Sequence, residues 1–177
     1  MKHLAILALC VLPYGAFAAG SDDTAPPVKT QTSEDCKKGE IWDEKTSLCV
    51  APETTGMNDD QRFLAVRELA YAGRPEDALR VLASMTEGKT DRVLTYLGFA
   101  NRKAGRLEEG LAYYADALVQ NPDNIQARSY LGQAYVEMNE LVLASAELDQ
   151  IRLRGGAGSW AEVTLAKAVA TGQTTSY

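Results

Sequence analysis

From Asn58 onward, apolar residues return every three or four positions, the period of a helix buried on one side. Before that point no such period exists. Residues 20–35, GSDDTAPPVKTQTSED, hold almost no large apolar side chain, and within Cys36 to Val50 turn signals at Lys38-Gly39 and Glu44-Lys45 flank a short apolar run, Ile41-Trp42. A stretch that cannot bury apolar surface does not order itself. The pattern therefore predicts a flexible linker over 19–35 and a small two-stranded element over 36–50. A second linker follows over 51–57, then a helical domain over 58–172 and a flexible tail over 173–177.

Local punctuation divides the helical part. Asn58 is a predicted N-cap, with Gln61 at the reciprocal capping-box position, and Phe63, Val66, Leu69 and Ala70 share one face. Gly73-Arg74-Pro75 stops that helix and starts another, because proline is tolerated in a first helical turn. Ala78, Leu79, Leu82 and Met85 give the second helix its stripe, and Gly88 is expected to end it. A second pair starts after Thr90, breaks at Gly105 and ends at Asn121-Pro122. A third starts near Asn124, breaks at Asn139 and ends at Gly155-Gly156. Ser159 and Glu162 predict a capping box for a last helix reaching about Ala170, whose Trp160, Val163, Leu165, Ala166 and Val169 suit a lid.

Leu97-Gly98 and Leu131-Gly132 recur 34 residues apart, each at the same depth in its segment. A repeat of that length is one helix pair that buries its apolar face only against its neighbours. The segment from Asp91 carries Leu97-Gly98, Asn101, Gly105, Gly110, Tyr114, Ala117 and Pro122, and the segment from Ile125 carries Leu131-Gly132, Tyr135, Asn139, Ala144, Leu148 and Ile151. From Asp59 a shorter, more degenerate version reads Ala65-Val66, Leu69, Gly73, Ala78, Leu82 and Met85. These residues resemble the tetratricopeptide repeat, whose small residues let two helix backbones approach. The resemblance implies an all-α, right-handed α-solenoid of three helix pairs plus a C-terminal capping helix. The family is one of binding modules, so it further implies a protein or extended-peptide partner held in a concave groove.

The amino terminus reads as a signal peptide over 1–18. Lys2 and His3 precede an apolar stretch, Leu4 to Leu12, too short to span a bilayer, and Ala16-Phe17-Ala18 is a cleavage site. The expected location is periplasmic or secreted, with no stable membrane anchor. The formal net charge is −6, and loss of Lys2 makes the remaining chain more acidic, a poor match for nucleic acid. Once Cys10 leaves with the signal, Cys36 and Cys49 remain, an even count that in an exported chain predicts a disulfide. The segment they bound resembles short cysteine-bounded segments with a Gly-x-x-Trp/Tyr-Asp centre in exported bacterial proteins, including alphaproteobacterial envelope proteins.

Catalytic chemistry finds little to stand on. The single histidine, His3, goes with the signal, so histidine triads and histidine metal sites are not expected. No Gly-rich phosphate loop follows a strand. The acidic pairs Asp59-Asp60 and Glu108-Glu109 lie at helix N-termini, where carboxylates complement the dipole. The expectation is a non-enzyme without catalytic residues, metal or cofactor. The repeat register instead predicts a groove lined by Phe63, Arg67, Tyr71, Phe99, Arg102, Lys103 and Gln133, with Thr95, Ser129 and Glu137 beside them. Cations next to aromatic rings would grip an acidic segment or a terminal carboxylate. The family's carboxylate clamp places Lys and Asn where Phe63 and Arg67 stand, so that type of clamp is not expected.

Two functions fit this reading. The first is an envelope adaptor, active in cell-envelope assembly or exported-protein maturation, whose groove takes the partner. The second is an attachment protein, in which the disulfide segment contacts peptidoglycan or an outer-membrane protein and the repeats act as a spacer.

Overall fold

A computed structural model describes residues 24–54 and 56–174; the expected signal segment and the last residues of the expected tail lie outside them. A short helix α1 (Gln31–Glu34) and a hairpin of β1 (Ile41–Asp43) and β2 (Leu48–Val50) precede the helical domain. Three helix pairs follow: α2 (Asp59–Tyr71) with α3 (Pro75–Ser84), α4 (Asp91–Lys103) with α5 (Leu107–Gln120), and α6 (Ile125–Glu137) with α7 (Leu141–Leu153). Helix α8 (Trp160–Thr171) closes the row. The first helices pack side by side, α2 on α4, α4 on α6 and α6 on α8, while α3, α5 and α7 each bridge to the next first helix. This is a helical repeat stack.

The pairs are equivalent at their joints. Every first helix begins on a side-chain cap: Asn58 accepts from Gln61 N–H, Thr90 from Val93, Asn124 from Ala127 and Ser159 from Glu162. None of α3, α5 and α7 has such a cap. There the chain reverses through a left-handed residue, Gly73, Gly105 or Asn139, at φ of 72°, 85° and 62°. Asparagine is among the few residues with a side chain that tolerate this region, so it stands in for glycine at the third joint.

The two Leu-Gly pairs lie at close crossings, but their partners differ. A Cβ on Gly98 would come within 2.5 Å of the Tyr114 ring and 3.0 Å of the Gly110 carbonyl, inside its own pair. A Cβ on Gly132 would meet Leu165 of α8 at 2.6 Å. The reason is local: Gly98 faces a second glycine, which brings α4 and α5 together, whereas the residue matching Gly110 in the third pair is Ala144.

Four expectations are corrected. Helix α3 stops at Ser84, before Gly88. Asp59 at the start of α2 draws the chain out of the helix there, its carboxylate accepting from Thr86 N–H (2.8 Å), Glu87 N–H (2.6 Å) and the Thr86 hydroxyl (2.9 Å). Glu162 does not complete a capping box with Ser159, because its carboxylate pairs with Arg152 at 2.8 Å. The cysteine segment, expected as a separate element between two linkers, docks on the stack. Cys36 and Cys49 are bonded, Ile41 is only 1 % exposed and lies in one cluster with Val66, Leu69 and Val81, and Arg74 donates to the Cys36 carbonyl at 2.8 Å. The hairpin covers the open end of the stack, as α8 covers the other. Finally, residues 24–35 are not a free linker: Thr24 and Thr32 are buried, and Glu68 of α2 holds the segment.

Candidate functional site

The side of the stack formed by the first helices carries a continuous group of aromatic rings. Tyr71 stacks on Phe99 at 5.6 Å between centroids, Phe99 packs on Tyr130 at 4.6 Å, and Phe63 meets Tyr96 edge-on at 5.2 Å. The Tyr71 and Tyr130 hydroxyls are 2.8 Å apart. Large rings from neighbouring first helices interdigitate and leave little room between them.

This outcome divides the predicted groove residues. Tyr71, Phe99, Arg102 and Gln133 are buried, so they support the stack and offer no surface to a partner. Arg102 donates to Glu137 at 2.6 Å and to the Tyr114 hydroxyl at 3.3 Å. Burial opposes its charge, but Tyr114 and Glu137 outweigh that and raise its pKa above the usual arginine value. Gln133 donates to the Ser129 hydroxyl, itself wholly buried and bonded to the Ala161 carbonyl. Lys103 is half-buried, its ammonium 5.8 Å from the Phe99 ring centre. Burial, then the Arg102 charge, pulls the Lys103 pKa down, with Glu137 acting the other way. Phe63 and Arg67 remain half-buried and accessible in part.

Towards the N-terminal ends of the first helices the rings give way to a cleft of about 540 Å³. Helix α2 contributes Phe63, Leu64 and Arg67; α4 contributes Asp91, Arg92 and Tyr96; Asn124, Ile125 and Gln126 close the far side. Its polar groups are held in place. Arg92 lies over the Phe63 ring at 4.8 Å and pairs with Asp60 at 2.8 Å and Glu87 at 2.9 Å. Asp91 accepts from Asn121 at 2.7 Å and Asn124 at 3.1 Å. Leu64 is 60 % exposed, an apolar side chain displayed beside this polar frame. Arg67 donates to the Tyr96 hydroxyl at 3.2 Å. Burial works against the Arg67 charge, and Tyr96 with Tyr130 and Tyr71 overcomes it, so the pKa lies above the usual value. Burial likewise raises the Tyr96 phenol against the pull of Arg67.

Leu64, Asp91, Arg92 and Asn124 carry no repeat signal that marks them as cleft residues; Asn124 stands in the sequence only as the start of the third pair. Glu68 is likewise unmarked. That carboxylate accepts from Thr30 N–H (2.7 Å), the Thr30 hydroxyl (2.6 Å), Ser33 N–H (2.9 Å) and the Ser33 hydroxyl. No pattern along α2 distinguishes Glu68 from a solvated charge; only the folded chain brings residues 30–33 to it. Among the described residues, no group of histidine, cysteine, aspartate and glutamate could hold a metal ion. No described helix is long and apolar enough to cross a membrane.

Stacked helix pairs joined by left-handed turns, with caps at both ends and a cleft along the first helices, define a repeat scaffold built for contact. The family model for the tetratricopeptide repeat matches residues 102–170, from the end of α4 into α8, and supports a tetratricopeptide repeat over these helices. No curated protein and no solved structure matches the chain. Tetratricopeptide repeats point to a protein–protein interaction module, typically a scaffold without catalysis of its own.

Proposed function

We propose that the protein is an adaptor of the bacterial cell envelope that binds an extended segment of another protein in the cleft between α2, α4 and α6. The observation that carries the reading is the cleft itself, with Leu64 exposed beside the fixed polar groups of Arg67, Arg92 and Asp91. An extended segment presents both apolar side chains and unpaired backbone groups, and this lining answers both. Export is supported by the leader-like residues 1–18 and by the bonded cysteines, which belong to an oxidising compartment. Roles in envelope assembly or in the maturation of exported proteins fit that setting.

The test is site-specific crosslinking in cells, with Leu64 replaced by a benzophenone amino acid and Val119, 82 % exposed on α5, as the control position. Discrete adducts from position 64 that are missing from position 119 are expected, in the periplasmic fraction. Absence of adducts at 64, or the same adducts from both, would reject the cleft as the binding surface.

A further inference from the structure

Residues 24–30, TAPPVKT, run across the side of the stack where the first helices meet. At one end the Thr24 hydroxyl accepts from Ala161 N–H of α8 at 3.1 Å. Next to it the Ala25 carbonyl accepts from Arg67 of α2 at 2.6 Å. At the other end Thr30 gives both its N–H and its hydroxyl to Glu68. Thr24 is 7 % exposed and forms part of the cleft wall. The segment thus spans the last and the first of the aligned helices and engages them through backbone groups of Ala25 and Thr30 and the hydroxyls of Thr24 and Thr30.

Two features mark it as a ligand and not as part of the core. Pro26-Pro27 favours an extended conformation, which lowers the entropy lost on seating it. The segment also lacks an apolar anchor: Val28, its one large apolar residue, is 84 % exposed. The hairpin that follows is different, since Ile41 is 1 % exposed within the main core. The hairpin can stay docked while the segment before it leaves.

We propose that residues 24–30 are a built-in ligand of this face, and that a partner segment binds by displacing them from Arg67 and Ala161. This rests on the peptide-binding reading of the cleft and adds its regulation. A tethered segment acts at an effective concentration of order millimolar, enough to exclude weak ligands and admit only a partner that competes for the same atoms.

The probe is a fluorescein-labelled peptide of residues 24–29, which lacks the Thr30 contact to Glu68, added to the full chain and followed by anisotropy. The release variant carries Thr24→Gly, Pro26→Gly and Pro27→Gly, which leave every helix residue in place. A second variant, Glu68→Gln, loosens the other end. The probe is expected to bind the release variant at least tenfold more tightly than the unaltered chain, with Glu68→Gln between them. Equal binding to all three overturns the inference and leaves the face as a peptide site. Binding to none overturns both the inference and the reading beneath it.

Discussion

The hydroxyls of Tyr71 and Tyr130 are hydrogen-bonded at 2.8 Å although the two residues belong to the first and third helix pairs. That bond closes the space between α2 and α6 and turns a predicted open groove into a packed aromatic layer. A buried hydrogen bond contributes about 1 kcal/mol, and stranding one partner costs more than removing both. Tyr130→Phe is therefore expected to lower stability by about 1–2 kcal/mol. Adding Tyr71→Phe to it should cost less than the sum of the single changes, and a double-mutant cycle from urea denaturation reads this coupling directly.

Gly98 and Gly132 give a graded pair. An added methyl at Gly98 meets the Tyr114 ring and a backbone carbonyl, whereas at Gly132 its nearest neighbours all belong to the Leu165 side chain. Overpacking of this kind costs about 1–3 kcal/mol. Gly98→Ala should lower the melting temperature followed by circular dichroism more than Gly132→Ala does, and Gly98→Leu more than either. Equal melts would contradict the close approach of α4 and α5.

The disulfide tests whether the hairpin is part of the stack. In the chain-entropy model, a loop of this size stabilises by roughly 3 kcal/mol. Because Ile41 shares the core of α2 and α3, the double change Cys36→Ser and Cys49→Ser should shift the single unfolding transition of the whole domain. A separate early transition, with the helical melt unmoved, would show the hairpin to be independent.

Acid is expected to loosen residues 24–34. Burial works to raise the Glu68 pKa, but hydrogen bonds from the Ser33 and Thr30 hydroxyls and N–H groups prevail and hold it below the ordinary 4.5. A carboxyl with a depressed folded-state pKa stabilises fully above its unfolded value and loses that contribution as pH falls through the folded value. Protection of the 24–34 amides, measured by NMR exchange and corrected for intrinsic rates, should hold above pH 4.5 and decline below it. In Glu68→Gln this pH step should disappear.

Much of the fold was readable because the signals are local. Asn58, Thr90 and Asn124 cap helices through bonds made three residues away, and Gly73, Gly105 and Asn139 reverse the chain by their own backbone freedom. The readings that failed needed distant partners. Glu162 has the right spacing from Ser159 for a capping box, yet Arg152 of the preceding helix takes its carboxylate. Glycine at 88 marks a plausible helix end, yet Asp59 ends the helix earlier by binding the Thr86 and Glu87 amides.

What the residues alone determined is the repeating helix pair: period, caps and turns depend on neighbours a few positions apart, and their physics is complete within one hairpin. What only the folded chain decided is which side chains of the aligned first helices stay open. Spacing assigned Phe99, Arg102 and Gln133 to a groove, and all three are buried; whether a groove remains depends on how closely successive pairs stack and on what crosses them. Tyr71 reaching Tyr130, and Thr24 reaching α8, are contacts between residues far apart in the chain. No local pattern encodes them, because their energies exist only once the pairs have packed.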